Sequence, residues 1–267
     1  MTTDELVRLL GSGEMQERGK ALIWAHQNGI DGARGLVAAM RDPRANVTAQ
    51  AWAMIGLEML RPLPTDVTHD VLVEKLSDPS PTTRCHAIRT LEKFDDVTAL
   101  AAIARLVNDH TVDGSAWGEE DCSTVAGTAA AAVNALTASA EKSGRLTVHV
   151  FISTGRFQSF DEMRAYVDKT YTEDGEGVPS PFMREVELHG YEPMRIEAIE
   201  SESRQPVSVA ELVAKSSWAD RWLPALDGAR TADAAICVFS PNLVVYPERC
   251  ALAHLGCVHF RVNKDEP

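Results

Sequence analysis

In the first half of the chain, apolar positions recur at helical spacing. Leu6, Leu9 and Leu10 follow Thr2 and Glu5, which are spaced like a capping box at a helix start. A second periodic stretch covers about residues 15–26. Beyond it the pattern repeats with an offset of 36 residues: Leu36, Met40, Asp42 and Pro43 are matched by Leu72, Leu76, Asp78 and Pro79. The match continues past the turn, pairing Ala51 with Ala87, Trp52 with Ile88 and Ile55 with Leu91. A weaker third copy begins at Ile103, with Val107 and Asp109 in the equivalent places and the alanine-rich run 123–138 as its second helix.

Each copy reads as two helices joined by an Asp-Pro turn. Proline has no N–H and suits the first turn of a helix, while aspartate caps free N–H groups. One such pair cannot bury both apolar faces, so pairs stack. Small residues such as Ala51 and Ala87 allow close helix contact. The pattern over residues 15–138 resembles HEAT repeats. Arg84 stands where those repeats often carry an arginine; Thr48 departs from the pattern in the first copy. The third copy carries an insertion around 111–120, with Trp117 beside the acids Glu119, Glu120 and Asp121. Ordered, this loop would be a contact site; a mobile surface loop is the simpler expectation.

The periodicity changes after the small, polar stretch ASAEKSGR. This places a boundary near 140–144, between a helical-repeat domain over 1–140 and a second domain over 145–267. Residues 146–152 alternate in part and predict a strand. Ser159 and Glu162 predict a helix carrying Met163, Tyr166 and Val167 on one face; Ser208 and Glu211 predict another before Leu212 and Val213. Residues 172–183 read as a loop, and 195–200, 234–239 and 256–262 as strands. Trp218 and Trp222, four apart, can share a helix face. The expected fold is therefore a two-domain α and α+β protein. An α-hairpin solenoid is followed by a mostly antiparallel sheet with helices on one face.

Charge narrows the partners. The 267 residues include 39 acids and 26 bases, a net charge of −13. Such a field repels nucleic-acid phosphates and anionic membranes and attracts basic proteins, although many acidic proteins are merely soluble. The hydrophobic share of 45% suits a folded protein. Five cysteines at 85, 122, 237, 250 and 257 give no disulfide framework. No signal peptide and no long apolar span are visible, so the expectation is a cytoplasmic protein.

Candidate chemistry is sparse. Cys250, His254, Cys257 and His259 are zinc-type ligands, but all lie within ten residues, where a strand would simply pack them. A nucleophile elbow, a phosphate loop and a dinucleotide fingerprint are missing. Nothing singles out two carboxylates as an acid/base pair.

What stands out is an acidic region. Between Phe157 and Ser203 lie twelve acids and four bases, with Tyr171 and Tyr191 among them. Acids steer encounter with a basic surface and a desolvated tyrosine adds contact energy, so Tyr171, Glu173, Asp174, Glu176, Glu185, Glu187, Tyr191 and Glu192 are candidate protein-binding residues. The alternative is a charged helix face beside a loop.

The second half resembles the Immunity protein 22 family, found beside polymorphic toxins in bacteria. The likeness covers 145–262 and rests on segments in order: the strand Val148-His-Val-Phe-Ile152, Ser-Phe-Asp-Glu at 159–162, and Tyr171 followed by Glu173-Asp-Gly-Glu176. Ser180-Pro-Phe182, Tyr191, Ser216-Ser-Trp218 and the strand at 235–239 follow, with a closing strand after Leu255-Gly256. The resemblance implies a non-enzymatic protein that binds and blocks a cognate toxin and needs no cofactor. Many such toxins are nucleases with basic surfaces, which the composition fits. A scaffold or adaptor recognising partners through the HEAT-like half is the rival reading, and a carboxylate- or zinc-dependent hydrolase a third.

Overall fold

The computed structural model describes residues 1–61, 65–112 and 124–262. The chain divides into two compact units, Met1–Ser139 and Ala140–Pro267.

The first unit is helical: α1 (Thr3–Leu10), α2 (Met15–Arg41), α3 (Val47–Met59), α4 (Thr65–Lys75), α5 (Pro81–Lys93), α6 (Leu100–Ala104) and α7 (Val125–Lys142). The Thr2 side chain caps α1 by accepting from the Glu5 N–H at 3.2 Å. The 36-residue repeat appears as equivalent packing. Leu36 and Leu72 are both buried, as are Met40 with Leu76 and Ala51 with Ala87. α2 contains both the second periodic stretch and the start of the first copy, broken at Gly29 (φ 52°, ψ −118°). Across that break Gly32 lies against the backbone of Ala25, closer than a Cβ would allow. In a straight helix two residues seven apart are two turns distant, so the chain bends sharply here, and glycine supplies the freedom.

The Asp-Pro turns work differently from the expectation. Neither Pro43 nor Pro79 opens a helix. The caps are Asn46, accepting from Ala49 at 2.8 Å, and Ser80, accepting from Thr83 at 3.4 Å, with Pro81 in the first turn of α5. Asp42 and Asp78 instead accept the N–H two residues on, from Arg44 and Ser80, both at 2.9 Å. These are Asx turns, which the short carboxylate side chain favours over a helix-capping role here. The Arg44 side chain and N–H hold the Asp42 carboxyl down at about 2, and Arg44 also reaches Asp4 of α1.

The stretch read as a boundary, near 140–144, is partly helix, since α7 continues through Lys142. Only Ser143 and Gly144 (φ 64°) turn the chain into the next strand. The inserted Trp117, Glu119, Glu120 and Asp121 lie outside the described residues.

The second unit runs β1 (Arg145–Ser153), α8 (Phe160–Val167), β2 (Thr170–Tyr171), β3 (Gly177–Val178), α9 (Pro181–Val186), β4 (Leu188–His189), β5 (Ile196–Glu200), β6 (Val207–Ser208), α10 (Val209–Leu212), α11 (Ala219–Trp222), β7 (Thr231–Ala232), β8 (Ala234–Phe239), β9 (Leu243–Val244) and β10 (Ala253–Arg261). Four strands form one sheet in the order β10-β1-β8-β5, every neighbour antiparallel. This is the antiparallel α+β arrangement the sequence led us to expect.

The helices, however, cover both faces. Val148, Val150 and Ile152 of β1 and Ala235, Cys237 and Phe239 of β8 pack with Val209, Leu212 and Trp222 of α10 and α11. The alternate residues Phe151, Ile236 and Val238 pack with Tyr166 and Val167 of α8 and Phe182 and Val186 of α9. The reason lies in β8, whose six residues are all buried: a strand apolar on both pleats needs cover on both sides. Trp222 is fully buried, a burial contributing roughly 1.5–3 kcal/mol relative to exposure, as for other large apolar side chains. Trp218 does not share its helix; it sits just before α11 in the left-handed region (φ 52°). Both rings still meet Phe239, at 5.6 and 6.2 Å between centroids.

Candidate functional site

The acidic region is organised around a small hairpin. β2 and β3 pair Thr170 with Val178 and Tyr171 with Gly177. The turn between them is fixed by three bonds. Thr172 N–H donates to the Glu176 carbonyl (2.9 Å), Gly175 N–H to the Thr172 carbonyl (3.0 Å) and Glu176 N–H to the Thr172 hydroxyl (3.0 Å). Gly175 supplies the left-handed residue the turn requires (φ 80°). Glu173, Asp174 and Glu176 therefore project from an ordered turn. All three are exposed, as is Tyr171 at 64%. The expected loop over 172–183 is thus an ordered turn, a strand and the start of α9.

Ser180-Pro-Phe182 ties this hairpin to the core. The buried Ser180 hydroxyl accepts from Met183 N–H (3.2 Å), capping α9, and donates to the Val167 carbonyl at the end of α8 (2.9 Å). Phe182 is fully buried, edge-on to Phe151 at 5.2 Å.

The structure separates the remaining candidates. Glu185 is turned inward, accepting from the Tyr166 hydroxyl (2.5 Å) and the Ala251 N–H (2.7 Å). Burial, reinforced by that carboxylate, pushes the Tyr166 hydroxyl's pKa well above its usual value. Glu187 ends α9 in the left-handed region (φ 48°), within 3.6 Å of both His189 and Arg249. Glu192 accepts from Met194 N–H (3.3 Å), and its own N–H and carbonyl are gripped by the buried Asn242 amide at 2.8 and 3.0 Å. Tyr191 is half-buried, its hydroxyl accepting from Lys169 N–H at 3.3 Å. Candidate positions thus fall into a projecting set (Tyr171, Glu173, Asp174, Glu176) and a set built into the fold (Glu185, Glu187, Tyr191, Glu192).

Other acids of the region are engaged too. Asp168 pairs with Arg164 at 2.7 Å, and Glu197 accepts from the Ser216 hydroxyl and from Ser217 N–H. Among the described residues, Glu173, Asp174 and Glu176 make no ion pair, so no direct partner neutralises the acids of the hairpin turn.

Sequence reasoning missed three neighbours: Lys169, Gly177 and Met194, the last 85% exposed. The Lys169 ammonium lies 5.5 Å from the Tyr171 ring centre and 5.8 Å from that of Tyr191. Gly177, opposite Tyr171, was the available signal, because a strand glycine often marks a close approach.

The zinc-type residues do not converge. Cys250 approaches the Tyr166 hydroxyl (3.7 Å), His254 contacts His149 (3.2 Å) and Cys257 lies 3.9 Å from His259. No group of three or more His, Cys, Asp or Glu among the described residues is arranged to hold a metal ion. Burial, then the neighbouring His254 and His259, lower the His149 pKa to about 3. No described helix is long and apolar enough to cross a membrane.

No curated protein and no solved structure matches the chain. Two family models do; one description points to toxin immunity and the other to a protein-interaction scaffold. Residues 33–117 match the model described as HEAT repeats, and residues 150–233, which span β1 to β7 and include the acidic hairpin, match the model described as Immunity protein 22.

Proposed function

We propose that the chain is an immunity protein that binds a cognate toxin, a basic nuclease, and neutralises it by masking its active surface in the cytoplasm of the cell that carries it. The observation that carries this reading is the projecting hairpin, where three exposed acids, without ion-pair partners among the described residues, stand beside an exposed tyrosine. A nuclease must present positive charge to bind phosphates, so an acidic rigid turn competes for the same surface. The uncompensated charge accelerates encounter, while Tyr171 contributes apolar contact with little ordering cost. The match to Immunity protein 22 supports the same role. Binding of this kind requires no chemistry and no cofactor from the chain. Glu185, Glu187 and Glu192 serve the surface by fixing the elements beneath it, and the half-buried Tyr191 stands at its edge.

The test is affinity for the toxin as a function of salt. Glu173→Lys, Asp174→Lys and Glu176→Lys together lower affinity at least about tenfold at low salt, chiefly through the association rate, and the difference shrinks as salt rises. Equal affinity of both proteins at every salt concentration contradicts the assignment to this surface.

A second reading, a scaffold that recognises partners through the helical repeats, draws on the match to HEAT repeats and on the exposed Ile23, Ile30 and Met59. It predicts that the hairpin reversals leave binding intact, whereas charged replacements at those three positions abolish it.

A further inference from the structure

Lys169 occupies an unusual position for a lysine in an acidic region. Its ammonium is within cation–π range of both Tyr171 and Tyr191, at 5.5 and 5.8 Å. Its side chain also lies flat on Gly177, where any Cβ would overlap the Lys169 Cε and Nζ atoms. Tyr171 and Gly177 are cross-strand partners, so ring, glycine and ammonium are fixed by the hairpin register. Although Glu173, Asp174 and Glu176 belong to the same hairpin, no described residue forms an ion pair with Lys169. The lysine fills an aromatic seat and leaves the acids unneutralised.

From this geometry, and resting on the partner-binding role proposed above, we infer that Lys169 is a placeholder: the Tyr171–Tyr191 pair is the seat for an arginine side chain of the bound protein, which displaces Lys169. The chemistry favours arginine as the occupant. A guanidinium is flat, less strongly hydrated than an ammonium and stacks on a ring face, so exchanging Lys169 for an arginine gains contact, whereas exchanging it for another lysine gains nothing. The displaced ammonium stays tethered next to a hairpin that carries three exposed carboxylates, which lowers the penalty for its release. The glycine has a role in the same device, because a side chain at 177 would expel Lys169 without any partner.

The experiment uses nona-arginine and nona-lysine peptides as probes with the full chain, so its outcome does not depend on which toxin the protein meets. Lys169→Ala is compared with Lys215→Ala, which removes the same charge from a fully solvated side chain. Lys169→Ala binds nona-arginine roughly threefold more tightly than Lys215→Ala does, the size of an exposed cation–π contact. That gain disappears when Tyr171→Ala is added, and it is smaller for nona-lysine. In the unaltered protein the Lys169 ε-methylene proton resonances, shifted upfield by the two rings, move to ordinary lysine positions as nona-arginine saturates. Equal gains for the two lysine variants, or Lys169 resonances unmoved at saturation, overturn the inference even if the acids bind the peptide. If toxin binding fails while these shifts occur, the partner role is wrong and the arginine seat stands.

Discussion

Arg84 of the second helical repeat reaches the third. Its Nη2 lies 2.8 Å from the Asp109 carboxylate and 2.7 Å from the Thr111 hydroxyl, while Nη1 donates to the carbonyls of Asp78 and Pro79 at 2.6 and 3.2 Å. One guanidinium thus closes its own Asp-Pro turn and fastens the neighbouring repeat. Burial raises the Asp109 pKa, but Thr111 and Arg84 outweigh it and hold the carboxyl below its usual value.

Removing this link strands buried partners. Arg84→Ala takes the ion-pair partner from Asp109, which keeps only the Thr111 donors, and leaves the Asp78 and Pro79 carbonyls without the guanidinium. We expect a loss of about 2–3 kcal/mol, below the full cost of breaking a wholly buried pair because Asp109 retains some solvent. Urea unfolding followed by circular dichroism measures it. Thr48, the equivalent position in the first copy, tolerates alanine by comparison, since Arg44 already holds the first turn.

Gly32 provides a second stability test. Its Cβ would come within 2.7 Å of the Ala25 Cα, a backbone atom that cannot swing aside. Gly32→Ala therefore costs at least about 2 kcal/mol, at the upper end of overpacking losses, although alanine is the better helix former. Gly19→Ala, with open space around its Cβ, is neutral or stabilising in the same assay.

Much of this architecture can be read along the chain. The 36-residue offset placed Leu36, Leu72, Ala51 and Ala87 in equivalent core positions, because helix packing selects residue types at fixed spacing. The capping pairs at Thr2, Ser159 and Ser208 each mark a real helix start, since a cap is decided within four residues. The second layer of helices was legible in principle from the unbroken apolar run Ala234–Phe239. What lay beyond reach depends on contacts distant in sequence. β2 and β3 are two residues each, too short for alternation to register. Whether Glu185 faces solvent or Tyr166 is settled by Ala251, 66 residues away. Lys169 reads as an ordinary surface base until Tyr191 is brought beside it.

Ser180 links the core to the acidic turn. Ser180→Ala removes the cap of α9 and leaves the Val167 carbonyl without its donor. We expect a loss of about 1–2 kcal/mol in global stability. Amide exchange across residues 170–178 accelerates more than exchange in β8, because the hairpin loses its anchor while the sheet does not.

His149 contributes one limb of the acid sensitivity. With its pKa depressed to about 3, it stays neutral in the folded protein where the unfolded chain, near 6.5, takes up a proton. Its contribution is fully present above pH 6.5 and declines as pH falls toward 3, by at most about 1.4 kcal/mol per pH unit. His149→Phe flattens this limb of the stability profile between pH 6 and 4. An unchanged slope would place the acid response elsewhere.

The most direct measurement is growth rescue. The full chain is produced in cells together with a toxin domain drawn from its genomic neighbourhood, alongside the variant carrying Glu173→Lys, Asp174→Lys and Glu176→Lys, with both proteins verified as folded. We expect the unaltered chain to restore growth and the charge-reversed variant not to. Equal rescue by both contradicts the role given to the hairpin, and failure of both contradicts immunity itself.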